Sequence, residues 1–215
     1  MKNVIETDRF AIYDDVLPND KFPVMWNYAE QENYSQPHQQ GWKKVWRLND
    51  GEPFGTKLYY HTDAPFNMPM DNFHAICLDM AEKHPDLLGE WDEISMRTYL
   101  YPRGAKLSWH NDTGYEGVVI YYIHPYWGST WGGELFVANT PKGGPGLAHL
   151  DHRQEDYFLS EIGCGHYVTS KPNRAVIQSP NVWHQVNRID DDAGDHIRAA
   201  MIGFFRKGRE DMPYS

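Results

Sequence analysis

EISMRTYLYPRGAKLSWHND occupies residues 93–112. Its first half, 93–102, is rich in β-branched and aromatic residues, the Pro-Arg-Gly of 102–104 interrupts it, and KLSWHND (106–112) resumes the same character. That is the pattern of two short strands joined by a turn. Six more runs of this kind follow, separated by Gly, Pro and Asn: GVVIYYIHP (117–125), GGELFVANT (132–140), HYVTSKP (166–172), RAVIQSP (174–180), HQVNRID (184–190) and IRAAMIGFF (197–205). About eight strands in succession point to a double-sheet jelly roll.

Upstream the character differs. RFAIYDDVL (9–17) reads as a short strand stopped by Pro18-Asn19-Asp20, FPVMWNYAEQ (22–31) has helical apolar spacing, and MDNFHAICLDMAEKHP (70–85) is the strongest helical stretch, stopped by Pro85. Between them, residues 33–70 hold many Gly, Pro, Asn and Gln, with short strands expected only at WKKVWRL (42–48) and TKLYYHT (56–62). The fold class expected is mostly β with flanking helices (α+β). One domain, 1–215, should comprise a helical and irregular support (1–92) and a jelly-roll core (93–206).

Composition narrows the function classes. A 40% hydrophobic and 14% aromatic content suits a folded protein with sheet faces and small-ligand pockets. A formal net charge of −10, with no local basic patch, argues against nucleic acid and anionic membranes as partners. The opening MKNVIETDRFAIYDD has no basic-then-apolar leader and no stretch approaches a membrane span, so a cytoplasmic location is expected. Cys77 and Cys164 lack zinc-ribbon spacing and are expected as free thiols.

His110-Asn111-Asp112 could offer an imidazole and a carboxylate to one metal ion, but the same spacing recurs at His61-Thr62-Asp63, His84-Pro85-Asp86 and His149-Leu150-Asp151. A metal that also binds substrate or oxygen needs a third protein ligand and open positions. His84 is expected at a solvated helix end and His149 in a polar loop. The 110/112 pair closes a strand, and His184 opens another. Arg198, in an otherwise apolar strand, needs an anion to meet its charge, either an internal carboxylate or a ligand's.

The ordered motifs YLYPRGAKLSWHND, VVIYYIHPYWGSTWGGELFVA, SKPNRAVIQSPNVWHQVNRI and IRAAMIGFF resemble the prolyl-hydroxylase branch of the Fe(II)/2-oxoglutarate-dependent oxygenases over roughly residues 94–206. The resemblance implies the double-stranded β-helix fold and the cofactors Fe(II), 2-oxoglutarate and O2. It also implies iron ligands at His110, Asp112 and His184, a partner for the distal 2-oxoglutarate carboxylate at Arg198, and pocket tyrosines at Tyr122 and Tyr101. Gly132-Gly133-Glu134 matches the family's turn and is read as backbone geometry, and Arg174 is read as structural.

Halogenating members carry a small residue where Asp112 stands, so halogenation is not expected; hydroxylation is the expected reaction, with desaturation or ring formation left open. The substrate expected is a small amino-acid-like or peptidyl unit of proline type. The rival readings are a cupin-type metal or ligand binder without 2-oxoglutarate turnover, and a peptide-gripping module. Two further points are open: whether DDDAGD (190–195) shifts the register of Arg198, and whether the long connection 139–166 is a lid.

Overall fold

The computed structural model describes residues 1–36, 50–139 and 164–208. The strand expected at 42–48 and most of the connection 139–166, including His149 and Asp151, lie outside the described residues. The strands are β1 (Lys2–Glu6), β2 (Phe10–Asp14), β3 (Phe54–Gly55), β4 (Tyr59–Tyr60), β5 (Glu93–Tyr101), β6 (Leu107–His110), β7 (Gly117–Tyr122), β8 (Leu135–Ala138), β9 (Gly165–Val168), β10 (Ala175–Gln178), β11 (His184–Val186) and β12 (Arg198–Arg206). The helices are α1 (Pro23–Gln31) and α2 (Met68–Lys83).

The strands form two antiparallel sheets. The larger runs β1-β2-β10-β7-β12-β5-β3, with β4 also on β5, and the smaller runs β6-β11-β8-β9. This is the expected jelly roll with helices outside it. No described helix is long and apolar enough to cross a membrane.

Helix α2 forms for local reasons. The Asn67 side chain accepts the Met70 N–H (3.1 Å) at its start, Pro69 occupies the first turn, and Pro85 follows its end. Met70, Phe73, Ile76, Cys77 and Met80 make a buried stripe at helical spacing. The stripe packs on the larger sheet, in one cluster with Ile94, Met96, Val119, Tyr121, Met201 and Phe205. The approach is close enough that a Cβ at Gly203 would stand 2.6 Å from the Cys77 sulfur. Cys77 is buried and Cys164 exposed, and both are free thiols.

Strand alternation then dictates what faces inward. Since Met201 and Phe205 lie on the helix side, Arg198, Ala200, Ile202, Phe204 and Arg206 face the smaller sheet, and their partners on β5 are Tyr101, Tyr99, Arg97, Ser95 and Glu93. Charged and phenolic groups therefore line the interior between the sheets. The register question at 190–195 resolves here: Asp191–Ala193 form a single 3-10 turn, the Asp190 side chain accepts the Asp192 N–H, and Arg198 enters its strand opposite Tyr101.

Arg174 is structural, as expected. Its Nε donates to Asp14 (2.7 Å), Lys171 reaches the same carboxylate (2.7 Å), and together they tie the turn before β10 to β2. Burial acts to raise the Asp14 pKa, and the two cations outweigh it and hold it below the ordinary value.

Three sequence expectations change. His84 is buried, not solvated, with Nε2 2.7 Å from the Tyr13 hydroxyl. The reason is that β1 and β2 fold back over the end of α2, which the helix's own sequence does not reveal. Strand β1 was not expected: all its residues are exposed, so it has no apolar face to read. At 56–62 only Tyr59–Tyr60 are strand, followed by a 3-10 turn at His61–Asp63.

Candidate metal centre

β6 and β11 are neighbours, and their register sets His184 opposite His110. The two imidazole centroids are 4.1 Å apart. Asp112 follows β6 by two residues in the left-handed region (φ +48°), a conformation that Asp tolerates better than most side chains. That bend turns its carboxylate back over the strand end. His110 Nε2 lies 3.5 Å from one carboxylate oxygen and His184 Nε2 lies 3.3 Å from the other.

Each imidazole is oriented from behind in the same way. His110 Nδ1 lies 2.7 Å from the Ser108 carbonyl and His184 Nδ1 2.8 Å from the Val182 carbonyl, two residues back in both cases. The Gln178 amide also lies 2.9 Å from His184 Nδ1. Carbonyl acceptors assign the proton to Nδ1 and leave the Nε2 lone pairs pointing at Asp112, which is the tautomer that a metal requires.

Electrostatics agree. Burial, then the adjacent His184, lowers the His110 pKa to about 4, so this ring is neutral. Burial also opposes a charge on His184, but the Asp112 carboxylate outweighs it and raises that pKa. For Asp112, burial pushes upward and the two histidines more than offset it.

One ligand atom from each of His110, Asp112 and His184 lies within 4.8 Å of the others. Among the described residues no other His, Cys, Asp or Glu group meets that condition. Two nitrogens and one oxygen, gathered on one side and backed by fixed acceptors, fit a divalent first-row metal that keeps open positions. His61, in one of the competing pairs, instead accepts the Ile94 N–H at Nδ1 (2.8 Å).

Across the interior lies a second grouping. Arg198 is 1% exposed, and its guanidinium carbon sits 4.9 Å from the ring centroids of both Tyr101 and Tyr122. Its Nε donates to Ser170 Oγ (2.9 Å), which in turn donates to the Gly133 carbonyl (2.5 Å). The Tyr122 hydroxyl is buried without a hydrogen-bond partner among the described residues. A buried cation beside an orphaned phenol fits the carboxylate end of a small diacid.

Gly133, read from the sequence only as backbone geometry, and His124, which that reading passed over, complete this wall. Gly133 has φ +73°, and a Cβ there would also stand 2.8 Å from the Arg198 Cδ, so the glycine makes room for the arginine as well as the turn. His124, two residues beyond Tyr122, lies 2.7 Å from the Ser170 carbonyl through Nε2, and its Nδ1 accepts the Ala199 N–H (3.2 Å). Burial lowers its pKa to about 4, so it acts as a neutral brace. Its spacing from Tyr122 was the available signal, since alternate residues share a strand face.

Several solved structures share this arrangement of strands. A Pseudomonas putida prolyl-4-hydroxylase superposes with a TM-score of 0.58 at 17% identity, covering 93% of each chain. A Trichoplax adhaerens prolyl hydroxylase, solved with a hypoxia inducible factor oxygen degradation domain peptide fragment, gives 0.60 at 13% identity over 94% of this chain and 84% of that one. The chain has the fold of these oxygenases. HygX from Streptomyces hygroscopicus, with nickel and 2-oxoglutarate bound, gives 0.58 at 11% identity over 93% of this chain and 83% of that one. No family model matches the chain, and no curated protein matches it by sequence. At these identities the likeness is one of oxygenase fold, and the chemistry must be argued from the residues.

Proposed function

We propose that the protein is an Fe(II)- and 2-oxoglutarate-dependent dioxygenase that hydroxylates an unactivated C–H bond of a small amino-acid-like or peptidyl substrate. One observation carries this reading: a His-Asp-His cluster and a buried Arg198-Tyr122-Tyr101 grouping face the same interior from opposite sheets. A cupin-type binder has a use for the first and none for the second. The similar structures lend support, one holding nickel and 2-oxoglutarate and another a peptide.

In this reading His110, Asp112 and His184 hold the iron by Nε2, a carboxylate oxygen and Nε2. Iron with 2-oxoglutarate and O2 supplies the oxidising chemistry, with succinate and CO2 as coproducts. Arg198 takes the distal carboxylate of 2-oxoglutarate in a charge-assisted pair, with the Tyr122 hydroxyl as an additional donor. Ser170, His124 and Gly133 position Arg198, so the cosubstrate meets a preformed anchor. The two sheets keep bulk water from the reacting groups. Helices α1 and α2 support the core from the outer face of the larger sheet, and the chain is read as one domain, 1–215.

The experiment is succinate formation from 2-oxoglutarate with Fe(II) and O2 across an amino-acid and peptide panel. Metal binding without 2-oxoglutarate binding would establish the cupin-type alternative instead.

A further inference from the structure

The two metal-ligand histidines have one backbone acceptor each and differ in a second neighbour. Beside the Val182 carbonyl, His184 Nδ1 has the Gln178 amide at 2.9 Å, whereas His110 Nδ1 has the Ser108 carbonyl alone. Gln178 is 1% exposed and lies on β10 in the larger sheet, opposite Phe10 on one side and Val118 on the other. Val176, two residues earlier, packs in the cluster between the sheets, while Ala175 and Ile177 pack on the helix side, so alternation turns Gln178 inward. The side chain therefore crosses the interior to reach a ligand on β11. Among the described residues no other hydrogen bond joins the larger sheet to the side chain of His110, Asp112 or His184.

Proton placement decides which end of the amide faces the ring. When Nε2 holds a metal, Nδ1 carries the one ring proton, and the Val182 carbonyl at 2.8 Å can only accept it. An NH2 group beside that N–H sets donor against donor. With its nitrogen inward, the amide reaches the Val182 carbonyl at a long 3.4 Å, and Oε1 is buried with no hydrogen-bond partner among the described residues. Half a turn about the last side-chain bond exchanges two atoms of nearly equal size, so the packing is kept and the imidazole N–H gains a second acceptor. The NH2 then takes the place where Oε1 was unmet. One amide atom lacks a partner in either orientation, and only with the oxygen inward does the other serve the ring. A half-met amide among Phe10, Val118 and Val182 is costly, and an apolar side chain would fill the place better unless the met half had a task.

We propose that Gln178 is a positioning residue for the metal, its side-chain carbonyl accepting the Nδ1–H of His184 from the opposite sheet. This rests on the metal site of the oxygenase reading and on none of its later chemistry. Two acceptors fix the plane of the His184 ring, where one leaves it free to swing, and they make Nε2 a stronger donor to the ion. His110 is held from one side only. The link also refers the ion to the sheet that carries Arg198, since β10 pairs with β7 and β7 with β12.

The test removes the acceptor without removing the bulk. Full-length protein is titrated calorimetrically with Zn(II), and the Zn(II)-loaded form is followed by NMR with ring-labelled histidine, in which an Nδ1–H held by an acceptor gives a slowly exchanging downfield signal. Gln178→Met, of similar length and without an oxygen acceptor, should weaken Zn(II) by about 10- to 100-fold and move the His184 Nδ1–H signal upfield while the His110 signal stays in place. Gln178→Glu, which accepts and does not donate, should hold Zn(II) within about threefold of wild type and keep the His184 signal downfield.

Wild-type affinity in Gln178→Met overturns the assignment. So does a folded Gln178→Glu protein that binds as weakly as Gln178→Met, because the amide would then act through its NH2 or through packing alone. Movement of both histidine signals together marks a general disturbance and overturns it as well. If the buried carboxylate of Gln178→Glu prevents folding by circular dichroism, the affinity and the two signals of Gln178→Met decide. Failure of the metal site looks different, because the wild type itself would then take up no Zn(II), and the role of Gln178 falls with it.

Discussion

The two faces of β12 put the same stretch of chain to different uses. Toward α2 it presents Ala199, Met201, Gly203 and Phe205, all buried among apolar neighbours and so tightly that Gly203 has no room for a methyl group. Toward the smaller sheet it presents Arg198 at one end, Arg206 at the other, and Ile202 and Phe204 between them. The first face is a packing surface, where shape alone decides. The second buries charges, which a core would expel unless an anion met them. Glu93 meets Arg206 from within the chain, whereas Arg198 meets phenol rings and a serine hydroxyl. The difference separates what holds the fold from what the fold holds.

The largest effect tests what the inner face looks at. His110→Ala, Asp112→Ala and His184→Ala should each weaken Fe(II) binding by about 100-fold or more and abolish turnover while leaving a folded protein, because two ligands and a half-filled shell do not retain a divalent ion well. Calorimetric metal titration checks this, and wild-type affinity in any one variant removes that residue from the site. Next comes Arg198→Ala, which should cost about 2–5 kcal/mol in 2-oxoglutarate binding, or roughly 30-fold to several thousandfold, with metal affinity nearly unchanged. An unchanged 2-oxoglutarate requirement would break the contrast between the faces.

The outer face should answer in a different observable. Gly203→Val drives a branched side chain against Cys77 and should destabilise the fold by about 1–3 kcal/mol in urea unfolding while leaving 2-oxoglutarate affinity untouched. A variant that loses cosubstrate affinity without losing stability would mean that the faces are coupled. The smallest effect is expected at Ser170→Ala, which removes the Arg198 Nε acceptor and should weaken 2-oxoglutarate by about two- to tenfold. Stopped-flow or calorimetric binding reads that difference, and the conservative Ser170→Thr should recover part of it.

Much of this was legible in the sequence, for physical reasons. Glu93–Tyr101, Gly117–Tyr122 and Arg198–Arg206 are strands long enough, and rich enough in apolar, aromatic or β-branched residues, to declare themselves, and α2 carries its own start and stop residues. β3 and β4 are two residues each, too short to show any period, and they form because β5 offers them a partner. The metal candidates follow from motif order, but the reason that His110 and His184 can share an ion is the register of β11 on β6, which no single strand encodes. Arg198 could be singled out as a charge in an apolar run. Arg97 could not, because in EISMRTYLY it alternates with Ser95 and Tyr99 and looks like one polar residue among others. Its surroundings include Gly55 and Thr56, far away in sequence, brought beside it by the pairing of β3 with β5.

The left-handed backbone at Asp112 has a genetic corollary. At φ +48° the chain already occupies a conformation that glycine adopts without penalty, so Asp112→Gly would remove the carboxylate and leave the path of the loop intact. Aspartate and glycine codons differ by one base. Of the three candidate ligands, Asp112 is thus the one whose side chain can be deleted to glycine by a single base change with little damage to the fold, whereas a histidine codon cannot become a glycine codon in one step. The carboxylate at 112 is therefore a requirement of the site's chemistry and not of the backbone, which would accept a residue without one.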